Sequence, residues 1–338
     1  MHRMKIVLGS IVVVAVLVAS LTLAGVTGAA TKEKQGVTLN LVAYSTPKPV
    51  MTKLIAAFQQ SPAGQGISFT TSYGGSSAQA AGVAAGQPAD VVILSTGTDV
   101  NLLVDKGKVD ANWNKQSYGG VVWNSVVVFG LRNGNPKHIR AWSDLVKPGV
   151  GVLIPNPFTA GIAKWDIMTP YVAQRRLGKK EPQAQAFIKT LFQHVVSQDS
   201  SGSNATNTFL SGKGDVLVTF ESEAINGKIP YVIPRQTMLI DIYGAVIKQS
   251  QHKDEVNAFL RFLKSAPAQT ILGDNGYRPV NKQVFAQFAK KFPKRPGETT
   301  VNDKLLGGWR AVDKKWFDPS KGIMAKIERE LGVSTSAG

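Results

Sequence analysis

The sequence predicts an α/β fold, a mainly parallel sheet with helices on both faces. Three observations predict it: strand-length apolar runs alternate with stretches of helical period, short Ser/Thr/Gly turns join them, and the pattern begins a second cycle near residue 125. In such folds ligands sit at the carboxyl ends of the strands.

Residues 37–43 alternate as a strand, and 47–60 carry Val50, Leu54, Ile55 and Phe58 at helical spacing behind Pro47, which a helix start tolerates. A second strand is expected over 67–73 and a small-residue helix over 76–86. A third strand over 90–94 precedes a helix from Asp99 to about Lys106. Beyond a strand at 125–131, residues 149–154 lead through Pro155-Asn156-Pro157 into a helix with Ile162, Trp165, Met168 and Val172 on one side. Residues 215–220 form a strand that turns into a helix at Phe220-Glu221, and the long apolar run 239–247 suits a return crossing. Val256, Phe259, Leu260 and Leu263 give 254–265 a helical period, and the remainder reads as further helices. The chain shows no internal repeat.

The turns carry the functional signal. Residues 43–47, 72–77, 155–161 and 200–204 each join an apolar run to a helix start through Ser, Thr, Gly or Asn. The first N–H groups of a helix lack intrahelical acceptors and carry about half a positive charge, so several such starts on one point bind an anion without a charged side chain. This pattern predicts an oxyanion binder.

Composition narrows the alternatives. A chain of 338 residues, 43% hydrophobic and 18% charged, has the profile of a globular protein large enough for two lobes. The absence of cysteine excludes disulfides, thiolate metal sites, a thiol nucleophile and a lipidated cysteine anchor. The formal charge of +17 invites nucleic acid, but Lys and Arg are scattered, and their densest clusters, at 175–180 and 290–295, fall at a helix end and in a Pro-containing loop. No nucleic-acid partner is expected. His2, Arg3 and Lys5 precede an apolar stretch over 6–26 and the small residues Thr27-Gly28-Ala29-Ala30. Residues 1–30 therefore read as a signal peptide, or, at near the roughly 20 residues a spanning helix needs, as a retained anchor. Export to the periplasm or the outer face of the cytoplasmic membrane is the expectation.

A set of segments in colinear order from about residue 39 to 320 resembles the sulfate-binding proteins of bacterial ABC importers. Among them are Ser72-Tyr73-Gly74-Gly75-Ser76-Ser77-Ala78-Gln79, Ala89-Asp90-Val91-Val92, Trp142-Ser143-Asp144-Leu145, Gly161-Ile162-Ala163-Lys164-Trp165, Thr206-Asn207-Thr208-Phe209, Tyr277-Arg278-Pro279 and Gly307-Gly308-Trp309. The resemblance implies a two-lobed periplasmic-binding-protein fold of type II with two crossovers as hinge: lobe I from 37–124 and 241–338, lobe II from 125–240. It implies a monomer that binds sulfate dianion through neutral donors and delivers it to the permease subunits of an ABC importer, with no cofactor. The ligand-contacting positions carry over to the backbone N–H of Ser45, the hydroxyl of Ser76, Ala160, the backbone N–H groups of Gly161, Ile162 and Gly202, and Phe220.

Two positions depart from the enterobacterial pattern. Ala160 stands where those members have serine and Phe220 where they have tryptophan, so two side-chain donors are missing, with Thr159 or Ser203 as candidate replacements. Thiosulfate, molybdate and tungstate are similar tetrahedral dianions and remain alternatives. Gly74-Gly75-Ser76-Ser77-Ala78 also has the look of a degenerate nucleophile elbow, which would make Ser76 the nucleophile of a secreted hydrolase. The histidines that follow, His138, His194 and His252, fall at loop and helix-end positions better suited to the surface or to capping, so no enzyme is expected. No pair of His or carboxylate residues has ligand spacing, and no metal is expected.

Overall fold

The computed structural model describes residues 36–333 and 335. The expected signal segment, 1–30, lies outside them. The first cycle runs β1 (Val37–Tyr44), α1 (Lys48–Gln60), β2 (Ile67–Gly74), α2 (Ser76–Ala84), β3 (Val91–Leu94) and α3 (Gly97–Asp105). Next come β4 (Val121–Leu131), β5 (Val152–Leu153), α4 (Gly161–Arg176), α5 (Glu181–Gln193), β6 (Val195–Ser197), α6 (Gly202–Leu210), β7 (Val216–Phe220), α7 (Glu221–Asn226) and β8 (Tyr231–Val232). The chain returns through β9 (Gln236–Val246) to α8 (Lys253–Leu263), α9 (Ala266–Asp274), α10 (Lys282–Gln287), β10 (Gly297–Thr299), α11 (Trp309–Val312) and α12 (Ile323–Glu330).

The sheet order is β2-β1-β3-β9-β4-β7-β5-β6, with β10 on β9 and β8 on β4. Within each half the strands that feed helices are parallel: β2, β1 and β3 in one, β7, β5 and β6 in the other. Two long antiparallel strands join the halves. β4 pairs with β9 over Val121–Val126 and with β7 from Val127 onward. β9 pairs with β4 over Leu239–Tyr243 and with β3 from Tyr243 to Val246. This is the two-lobed α/β fold with two crossovers.

Local sequence explains the elements. Pro47 caps α1, which buries Val50, Met51, Leu54 and Phe58, while Ile55 stays half-buried. α8 buries Val256, Phe259, Leu260 and Leu263, the four residues its period picks out. The helix α4 differs from expectation. Instead of one apolar side it is buried all round, from Gly161 to Gln174, because it is enclosed by α5, β9 and β7. Within the lead-in at 149–154 only Val152–Leu153 form a strand, and the strand expected at 125 begins four residues earlier, at Val121, where β9 supplies its partner.

Candidate functional site

The starts of α2, α4 and α6 and the turn that precedes α1 meet at one cavity. It is lined by Tyr44, Ser45, Thr46, Gly74, Gly75, Ser76, Ser95, Ala160, Gly161, Ile162 and Gly202, and no side chain among them is charged. Its volume of about 10 Å³ is far below the roughly 300–1,000 Å³ of a site for a drug-sized ligand. The walls come from both halves of the sheet. Three cavities are larger: two, about 670 and 560 Å³, flank the β4–β9 pair and are lined by no residue of the four turns, and a third, about 240 Å³, takes in Ser77 and Phe158 of those turns but is lined by the charged side chains of Asp99, Asp105, Lys164, Arg310 and Asp313. The site is placed at the small cavity because that is where the backbone donors converge.

Six of the eight expected positions, Ser45, Ser76, Ala160, Gly161, Ile162 and Gly202, come together here. Ser76, Gly161, Ile162 and Gly202 occupy the first turns of α2, α4 and α6, where backbone N–H groups have no intrahelical acceptor. Phe220 and Thr159 stand outside the lining. Phe220 ends β7 opposite Val127, and its ring is fully buried in the main core. The Thr159 hydroxyl donates to Asn156 O at 3.4 Å, and the Thr159 carbonyl accepts from Ala78 N at 3.1 Å. Ser203, the other candidate replacement, donates its hydroxyl to Ser45 Oγ at 2.9 Å.

Ser76 differs from expectation in a way that matters chemically. Its hydroxyl donates to Asp99 Oδ2 at 2.6 Å and accepts from Ser95 N at 2.9 Å, so its one proton points at a carboxylate rather than into the cavity. Asp99 also accepts from Ser77 Oγ at 2.7 Å and pairs with buried Lys164 at 3.4 Å. A second carboxylate, Glu223, lies behind the opposite wall, where it accepts from the hydroxyls of Thr46 and Thr206. Burial raises the Glu223 carboxyl, against the lowering effect of those two hydroxyls. Burial, reinforced by Glu223, raises buried Asp166 on α4 well above the carboxylate range. Carboxylates thus back the cavity, while only neutral groups face it.

Close approach at the glycines explains why these positions lack side chains. A Cβ on Gly161 would come within 2.4 Å of Ser95 Oγ and 2.8 Å of Asp99 Oδ2. One on Gly75 would meet Thr159 O at 2.4 Å and Ser200 O at 2.5 Å, both backbone atoms of the facing half. The halves are held across the cleft by the donation from Trp165 Nε1 to Ser95 O at 2.6 Å, by the Ala78–Thr159 bond and by the Lys164–Asp99 pair. Sequence reasoning missed Ser95, Thr46 and Tyr44. The signal for Ser95 was present, since Ser95-Thr96-Gly97-Thr98 is a fifth strand-to-helix turn of the same composition.

The model of the bacterial extracellular solute-binding proteins matches residues 39–278. The chain belongs to this family. It is 34% identical over 279 residues to the sulfate-binding protein of Salmonella typhimurium, covering 78% of this chain and 84% of that one. It is 33% identical over 293 residues to the thiosulfate-binding protein of Pseudomonas aeruginosa, covering 82% and 88%. Among solved structures, the sulfate-binding protein SubI of Mycobacterium tuberculosis superposes with a TM-score of 0.79 at 40% identity, over 82% of this solute-binding protein and 98% of that chain. Among the described residues no helix of this family member is long and apolar enough to cross a membrane, and no group of His, Cys, Asp or Glu could hold a metal ion.

Proposed function

We propose that this solute-binding protein captures sulfate in the cleft between its halves and delivers it to an ABC importer at the outer face of the cytoplasmic membrane. The observation that carries the reading is the convergence of three helix starts and the turn that precedes α1 on a cavity whose lining has no charged side chain. Sulfate is fully ionised at neutral pH and needs donors alone. Burying a dianion is costly unless its oxygens meet donors, and charge-assisted bonds to backbone N–H groups supply them. Hydrogen phosphate carries a proton that needs an acceptor, and no carboxylate lines the cavity. The sulfate-binding relatives support the same reading.

The ligand set is Ser45, Ser76 through its backbone, Gly161, Ile162 and Gly202. The lobe boundaries, at 124/125 and 240/241, lie within the crossover strands β4 and β9, and the change of partner along β4 between Val126 and Val127 supports the first of them. The protein works as an exported monomer, and it is not an enzyme. Ser76 Oγ is hydrogen-bonded to a carboxylate and a backbone N–H, and no histidine lines the cavity to take its proton.

Thiosulfate is the second reading, favoured by the Pseudomonas aeruginosa relative. Calorimetric titration and thermal melts of the mature protein with sulfate, thiosulfate, molybdate, tungstate and phosphate decide between them. Sulfate at a hundredfold excess over its dissociation constant should stabilise the fold by about 2.7 kcal/mol, and phosphate at neutral pH should not. Equal stabilisation by phosphate overturns the all-donor site, and tighter binding of thiosulfate selects the second reading.

A further inference from the structure

We propose that Ser95, at the end of β3, supplies the side-chain hydroxyl that binds the oxyanion, in place of the donor that Ala160 lacks. The inference rests on the oxyanion reading above and adds a residue to it. Ser95 is fully buried, it lines the cavity, and among the described residues its Oγ has no hydrogen-bond partner. A buried hydroxyl without a partner is disfavoured and rare in native proteins, so such a group facing a binding cavity points to a ligand acceptor.

Its position is fixed from both sides. The Ser95 N–H donates to Ser76 Oγ at 2.9 Å and its carbonyl accepts from Trp165 Nε1 at 2.6 Å. The hydroxyl therefore stands against the start of α4, 2.4 Å from where a Cβ on Gly161 would lie. That places it beside the backbone donors of Gly161 and Ile162, next to the methyl-bearing Ala160. Ser76 cannot fill the role, because its single proton goes to Asp99 Oδ2 at 2.6 Å. Removing the Ser95 hydroxyl would thus cost the anion a bond and the ligand-free protein nothing.

The test is titration of wild type, Ser95→Ala and Ser76→Ala with sulfate, together with thermal melts in its absence. Ser95→Ala should weaken sulfate binding about 10- to 100-fold, the loss of one charge-assisted hydrogen bond, while its ligand-free Tm is not lowered. Ser95→Cys, nearly isosteric with a weaker donor, should weaken binding in the same direction and covers the case in which the alanine variant fails to fold. A wild type that binds sulfate with variants at Ser95 that bind equally well overturns this inference alone. A wild type that binds none of the tetrahedral dianions overturns the function reading, and this inference with it.

Discussion

Around the cavity every lining side chain is uncharged, whereas beside the crossover strands ionisable groups are buried or half-buried. Arg278, bridged to Asn124 of β4, donates through Nε to Glu221 Oε2 at 2.7 Å and through Nη2 to Oε1 at 3.2 Å, with both side chains almost wholly buried. Asp241 of β9 accepts from Asn124 Nδ2 at 2.6 Å and from Tyr243 OH at 3.4 Å. The difference follows from how long each partner stays. Glu221 is always there for Arg278, so the desolvation of both charges is offset permanently. Under the proposed function the anion leaves, and a fixed cation in the cavity would then be left buried and unpaired. Helix-start N–H groups present partial charge that water can satisfy once the anion is gone.

The sharpest way to break this comparison is to remove the permanent partner. Arg278→Gln leaves Glu221 as an unpaired buried carboxylate and should destabilise the fold by about 3–5 kcal/mol in urea denaturation. Replacing both members, Arg278→Met with Glu221→Leu, should cost clearly less than the single change. A single variant as stable as wild type would mean that the pair contributes nothing to the hinge.

Asp241 tests the same region through pH. Burial raises its carboxyl to about 6, against the lowering effects of Asn124 and Tyr243, while the unfolded value is about 3.9. The folded state therefore holds the proton more tightly than the unfolded one. This contribution to stability is full below about pH 4 and is lost as pH rises through 6, amounting to at most about 3 kcal/mol. Asp241→Asn should flatten that part of the stability profile, read from urea midpoints between pH 4 and 7. An unaltered slope in the variant would assign the pH dependence to other groups.

The smallest effect concerns closure on the uncharged side. Gly75→Ala places a methyl against two backbone carbonyl oxygens of the facing half, at 2.4 and 2.5 Å, and backbone atoms do not swing aside as a flexible side chain does. Overpacking of this kind costs about 1–3 kcal/mol, so sulfate affinity should fall by up to about 100-fold. Unchanged affinity would show that binding does not require this degree of closure.

Much of the proposed site was legible because its expected donors are backbone groups. A strand end followed by Ser, Thr or Gly and a helical period locates free N–H groups from sequence alone, while the individual positions Ser45, Ser76, Gly161, Ile162 and Gly202 were carried over by the resemblance. Side-chain roles were less legible. Phe220 was expected at the cavity by resemblance, yet it is fully buried at the end of β7 and absent from the cavity lining. Ser76 was expected to aim its hydroxyl at the ligand, yet the N-terminal turn of α3 brings Asp99 within 2.6 Å.

The sequence by itself determined the succession of strands and helices, the turn chemistry that frees backbone donors, and the absence of thiol chemistry, because period, Gly/Pro placement and composition act over a few residues. Only the tertiary structure decided where those donors meet, which hydroxyl keeps its proton free, and which charges are paired. Ser95 and Gly161, 66 positions apart by number, approach to within a side-chain radius only because β3 and α4 belong to opposite halves drawn together by β4 and β9. The direction of a hydroxyl proton depends on that long-range packing, which no local pattern encodes.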